Sequence, residues 1–330
     1  MKRAAYNAAP IPSSLGWDKY KQGTRDYLPI YDRNLGHVEL SDVISFIADD
    51  SQNSKIPTSR GKSDYCPTNK LKLTVDKQKV LELGIVDSSE AHKIVDEVKW
   101  KIKGQGFAKN QLMVLDILAN FAWERPIYFA ITVGNDNFMG LDDYFQLEGL
   151  AYRFVPVKTK SIDGQTGIVA TDEMYDNLIN KFKWGNMGSP SVYLDETNMR
   201  MTMNFRNNFA RLADALILEN QFEKAENVLD RCIEVMPNEA IPYNYFNLPI
   251  ADAYYRINKK EKGNEIVMAL AENYFDELEY YNSVDQKTLS SMQREYGMAG
   301  EVVNNLYRLS QNYQDSTAVT YLNERASLIK

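Results

Sequence analysis

Between Phe205 and Pro237 apolar residues return every three or four positions, with one interruption at Asn220 and Gln221. That period predicts two helices joined by a tight turn. Large residues at Phe209, Leu212, Leu216 and Leu229 suit the groove between antiparallel helices, and small ones at Ala213, Ala225 and Cys232 let the backbones approach. Counted back from Pro237, the order of large and small matches a tetratricopeptide unit of about 34 residues. The pattern recurs from Ile250 to Glu272, where Ala251-Asp252-Ala253 repeats Ala213-Asp214-Ala215, Asn258 repeats Asn220 and Gly263 replaces Ala225. Extra residues around Ile241 to Leu248 predict a longer inter-repeat loop or a lengthened helix. A third, looser unit places Leu306, Ala318 and Leu322 in the same roles as a terminal cap, since such arrays need about three units and a modified end.

The first half is patterned differently. Pro10, Pro12, Gly16, Gly23 and Pro29 leave no room for a long element before residue 35, although Met1 to Ala9 can end a helix. Val38 to Ala48 shows a helical face with Ser41 as a candidate cap, and Asp49 to Cys66 reads as a polar loop. Leu71 to Val75 alternates as a strand, Lys77 to Leu83 as a helix ended by Gly84, and Val98, Trp100 and Ile102 alternate with lysines as a partner strand for 71–75. Asn110 to Ala122 is apolar nearly all round, predicting a helix covered on both sides. Ile127 to Val133 and Ala151 to Val157 read as strands joined through a helix at Leu141 to Leu147, which is the form of a right-handed parallel crossover. A helix at Glu173 to Phe182, a hinge at Trp184 to Pro190 and a cap at Asp195 lead into the repeats. The expected fold is thus an α/β domain over 1–192 with a small, mostly parallel sheet, followed by an all-α tetratricopeptide-like helical repeat domain over 193–330.

Composition alters this picture little: 44% hydrophobic and 25% charged residues are ordinary for a globular chain of 330 residues. The net charge of -7 argues against nucleic acid as a partner, and the densest basic cluster, Lys99, Lys101, Lys103 and Lys109, reads as the wet face of a strand. Two cysteines exclude a disulfide framework, and two histidines make an imidazole metal site or a Ser-His-Asp triad improbable. No phosphate-cradling glycine motif follows a strand, and no run of 18 apolar residues or signal-peptide centre is present. No cofactor and no metal are therefore expected. Two places carry candidate binding residues. The loop with Asn135, Asp136 and Asn137 follows a strand end, where ligands of open α/β sheets bind, although such residues more often satisfy a turn. Asn207, Asp214, Asp252 and Arg256 would face a groove lined by the first helix of each hairpin, or form a solvated face.

Three longer motifs carry a resemblance: GTRDYLPIYD (23–32), WERPIYFAITV (123–133) and LEGLAYRFVPVK (147–158). With the repeat segment, they resemble a bacterial family of multi-pass membrane proteins whose membrane half is similar to protein O-mannosyltransferases and whose soluble tail ends in tetratricopeptide-like repeats. The resemblance implies a chain truncated at its first residues, its sheet included, and a catalytic acid on an extracytoplasmic loop outside this sequence. It implies a non-catalytic periplasmic domain beside its own membrane domain, docking a protein or peptide through the repeat groove. A free-standing tetratricopeptide scaffold unrelated to glycosyl transfer and a soluble enzyme using Asn135 to Asn137 are the alternative expectations.

Overall fold

A computed structural model describes residues 12–21, 26–58, 61–158, 160–161 and 163–328. The expectation for Met1 to Ala9 lies outside them. The chain forms two compact units, one of Met1–Leu147 with Ala151–Ile168 and one of Glu148–Leu150 with Val169–Lys330.

The first unit runs β1 (Tyr27–Pro29), β2 (Val38–Glu39), α1 (Leu40–Ala48), β3 (Lys55–Thr58), β4 (Gly61–Asp64), β5 (Lys70–Thr74), α2 (Lys77–Glu82), β6 (Glu97–Lys101), β7 (Gly106–Ala108), α3 (Lys109–Asn120), β8 (Tyr128–Ala130), β9 (Phe145–Leu147) and β10 (Ala151–Phe154). The predicted pairing of β5 with β6 forms, antiparallel, with Leu71 opposite Trp100 and Leu73 opposite Val98, all four buried. Helix α1 buries Leu40, Val43, Ile44 and Ile47 as its period requires, but Glu39, not Ser41, stands at its N-cap.

The mostly parallel sheet is not formed. Only β2 with β5 runs parallel among the named strand pairs, while β10 lies antiparallel to β8 on one side and to β9 on the other. The reason is local: Leu141 to Leu147 is no helix. Phe145 and Leu147 are buried with Gln146 between them, a period of two, and only a single 3-10 turn, Asp142–Tyr144, precedes them. Gly140, at φ 89°, makes the turn possible, because a Cβ there would stand 2.6 Å from the Lys101 carbonyl oxygen. Phe129, Phe138, Phe145 and Tyr152 then pack ring to ring at 4.8–5.9 Å between centroids. A second correction concerns 55–64, expected as loop, which forms the β3–β4 hairpin from polar residues whose pattern carries no apolar alternation.

Helix α3 is covered on one side, not two: Leu112, Leu115 and Leu118 are buried, whereas Met113 is exposed. The fully buried Asp116 belongs to the covered side. Its carboxylate accepts from the Ser14 and Leu15 amides (2.8 and 3.3 Å), the Tyr20 hydroxyl (2.8 Å), the Asn120 amide (3.0 Å) and the Ser13 hydroxyl. Five donors offset the cost of burying a polar group there, and they fix the entering chain on α3.

The second unit is helical: α4 (Thr171–Asp176), continued by a π turn to Lys181, then α5 (Glu196–Leu218), α6 (Phe222–Val235), α7 (Leu248–Arg256), α8 (Lys260–Ser283), α9 (Gln286–Ser291), α10 (Gln293–Asn312) and α11 (Ser316–Leu328). Asp195 caps α5 as expected, accepting from the Asn198 amide at 2.8 Å. Helices α5–α6, α7–α8 and α10–α11 are hairpins with one shared turn. Asn220, Asn258 and Gln314 each adopt a left-handed φ of 61°, 61° and 52°. The next amide reaches back in each case, Gln221 to Leu216, Lys259 to Tyr254 and Asp315 to Ser310, at 2.8–2.9 Å, which closes the helix end. Phe209, Leu212, Ala213, Leu216, Ala225, Leu229 and Cys232 are all fully buried, and so are Leu306, Ala318 and Leu322 in the third hairpin.

The longer connection between α6 and α7 folds around Arg206. Its guanidinium, fully buried, donates to the carbonyls of Pro242 (2.9 Å), Ile241 (2.6 Å) and Met236 (3.3 Å) and lies 5.2 Å from the Tyr243 ring centroid. One side chain thus closes the C-terminus of α6 and the loop beyond it.

Candidate functional site

The repeated Ala-Asp-Ala segments bring three of the predicted residues together. In α5 and α7 these aspartates fall one position past a buried alanine, so Asp214 and Asp252 reach the same half-exposed surface. Arg256, one turn beyond Asp252, donates to the Asp214 carboxylate at 2.5 Å and stands 3.8 Å from that of Asp252. The Tyr313 hydroxyl, from the end of α10, donates to Asp252 at 2.8 Å. The Tyr313 ring stacks on Tyr255 at 4.8 Å, and burial, then the donated hydrogen bond, pushes its phenol up to about 12. Three successive hairpins therefore contribute to one polar cluster. Asn207 lies two turns before Asp214 on α5, half-buried on the same side.

Sequence reading missed Tyr313. Its signal was the turn: it precedes the left-handed Gln314 just as Ile257 precedes Asn258. Also missed was the network on the second helices, where Lys262 bridges Glu226 (2.9 Å) and Asp230 (2.7 Å), Lys259 holds Glu226 (2.8 Å), and the Tyr254 hydroxyl donates to Asp230 (2.8 Å). Hydrogen bonds from Lys259 and Lys262 hold the Glu226 carboxyl below its ordinary range.

Asn135, Asp136 and Asn137 belong to the first unit, in a single 3-10 turn, Asn135–Phe138. The Asn137 side-chain oxygen accepts from the Asn110 amide at 2.8 Å, and the Asp136 carbonyl from the Gln111 amide at 2.7 Å, so the loop is tied to the start of α3. The parallel-sheet crevice that made this loop a candidate is absent, because β8 and β10 run antiparallel. Beside Asn137 lies a hollow of about 430 Å³ walled by apolar residues such as Val114, Ile117 and Tyr128.

Neither cysteine has the setting of a nucleophile. Both are buried, and desolvation pushes the Cys66 thiol up to about 11 and the Cys232 thiol up to about 12, far from thiolate at neutral pH. Among the described residues no group of three or more histidines, cysteines and acids converges as metal ligands would. What the arrangement offers is charge-assisted hydrogen bonding along a helical surface.

The fold and these surfaces define a two-unit chain, strands and helices first, a stack of helical hairpins second. The chain belongs to the family described as TMEM260-associated domain 2, whose model matches residues 1–173. No curated protein and no solved structure matches it.

Proposed function

We propose that this chain is the non-catalytic, extracytoplasmic part of a membrane glycosyltransferase-like protein, on the periplasmic side of the inner membrane, and that its hairpins, as tetratricopeptide-like repeats, dock a protein or peptide acceptor. The observation that carries the docking reading is the cluster of Asp214, Arg256, Asp252 and Tyr313, assembled from three hairpins on one face. Ion pairs that are about one-third exposed add little to stability, so stability alone is a poor reason for such an assembly. Partly exposed charges in fixed geometry recognise polar groups at low ordering cost. Membership of the family and the three long motifs support the link to a membrane protein.

The test uses the full-length protein with a photo-crosslinking residue at Asn207. Capture of a glycosylated envelope protein, with both capture and its glycosylation reduced by Arg256→Glu, is the expected result. Glycosylation that persists unchanged in the Arg256→Glu protein would remove the docking role.

A further inference from the structure

On the second-helix side of the first two hairpins lies a crevice of about 510 Å³, separate from the cluster of the proposed docking face in the residues that form it. Its walls come from the end of α6, the loop that Arg206 anchors, Tyr254 of α7 and the first turns of α8. Four carboxylates line it, Asp230, Glu234, Glu239 and Glu265, against one lysine, Lys262. Asp230 is matched by Lys262 and Tyr254, and Glu234 by Arg231 at 2.7 Å. Glu239 and Glu265 are exposed and have no ion-pair partner among the described residues.

A second observation points to a ligand there. Tyr243 is only 8% exposed, it lines the crevice, and its hydroxyl meets no hydrogen-bond partner among the described residues. The ring is withdrawn from water while the hydroxyl at its tip keeps solvent contact, so it can accept a hydrogen from an entering ligand without breaking a bond. Its ring is fixed from below by the Arg206 guanidinium, and its amide donates to the Asn238 side chain at 2.7 Å, so the position is held before any ligand arrives. Arg206 also places a positive charge under the floor. That charge is shared by three carbonyls and shielded by the ring, and leaves the mouth, where Glu239 and Glu265 stand, negative.

We infer that this crevice takes a basic side chain, arginine or lysine, of a partner polypeptide, with Glu239 and Glu265 pairing its charge and the Tyr243 hydroxyl accepting one of its hydrogens. The carboxylates do not converge as a metal cage would. They are spread over a volume suited to a larger organic cation with several donors, such as a guanidinium.

The experiment is calorimetric titration of the whole chain, at low salt, with a blocked Ala-Ala-Arg-Ala-Ala peptide and with the same peptide carrying neutral citrulline. The arginine peptide is expected to bind and the citrulline peptide to bind at least tenfold more weakly. Glu239→Gln with Glu265→Gln is expected to weaken the arginine peptide about tenfold, and Tyr243→Phe to weaken it several-fold at an unchanged melting temperature, since the hydroxyl holds nothing in the free protein. Equal binding of the two peptides, unaltered affinity in the double variant, or no heat from either peptide would overturn the inference. None of these outcomes depends on Asp214 or Arg256, so the docking face stands or falls separately.

Discussion

Arg206 is the side chain on which most converges, because a guanidinium is placed where no carboxylate meets it. Its hydrogen bonds to Met236, Ile241 and Pro242 pair carbonyls that the end of α6 and the following loop would otherwise bury unsatisfied. Burial alone lowers its affinity for the proton, yet a guanidinium stays charged at any physiological pH. Replacing it by methionine keeps much of the volume and orphans three acceptors, so Arg206→Met is expected to cost about 3 kcal/mol or more. Urea unfolding reads this as a lower midpoint at unchanged slope. A second residue-scale case is Glu97 on β6. Lys72 and Lys99 face each other across β5 and β6, and Glu97 pairs with both at 2.5 Å. Hydrogen bonds from Lys72 and then Lys99 hold its carboxyl down to about 2. A carboxyl depressed in the folded state binds its proton more readily unfolded, so its contribution is complete above the ordinary glutamate range of about 4.3 and is lost as pH falls toward 2. Carbon-detected NMR titration of Glu97 is expected to show that low midpoint, and Glu97→Gln to remove part of the acid dependence of unfolding between pH 5 and 2. A midpoint near 4 would show that the two lysines do not hold it.

At the level of elements, the three hairpins share a turn in which one residue goes left-handed. Asparagine tolerates that conformation, glycine adopts it freely, and a branched side chain is strained there by roughly 1–2 kcal/mol. Asn220→Gly and Asn258→Gly are therefore expected to leave the melting temperature nearly unchanged, and Asn220→Val to lower it by several degrees. Equal melting for glycine and valine would mean the turn is not what ends α5. The same contrast explains which parts of the fold were readable. The hairpins were legible because each is written within a few dozen adjacent residues: Leu212, Ala213 and Leu216 on one helix, Asn220 at the turn, Ala225 and Leu229 on the next. The β5–β6 pair was legible through its alternation of apolar and charged residues. Illegible were features whose partners lie far away in sequence or whose residues are polar on both faces. Nothing near Asp116 announces that Ser13, Ser14 and Tyr20 complete its shell, and the β3–β4 hairpin has no apolar side to reveal it. Leu141 to Leu147 was misread because seven residues cannot separate a helix period from Phe145 and Leu147 alternating in a strand. For the site, Asp214, Asp252 and Arg256 were readable from the repeated segment. Tyr313 was not, because it stands one residue before the turn, where the first two units carry Glu219 and Ile257, so no repeated residue marks the position.

For the whole molecule, the proposed function sets an expectation about where it works. No helix among the described residues is long and apolar enough to cross a membrane. A net charge of -7 gives no attraction to an anionic lipid surface, which draws basic segments. On the proposed function, residence at the membrane comes from covalent attachment to spanning segments. This yields a sharp expectation: the complete gene product should fractionate with the membrane and resist extraction by high salt and by alkaline carbonate, which release proteins held by charge. A protease added to spheroplasts should cut within this region and leave cytoplasmic markers intact. Among the described residues, exposed apolar side chains such as Trp17, Tyr193 and Leu218 are scattered along the sequence. A complete product released by salt, or protected from protease in spheroplasts, would remove the periplasmic tail reading. The hairpin stack with its two polar surfaces would then stand as a free scaffold.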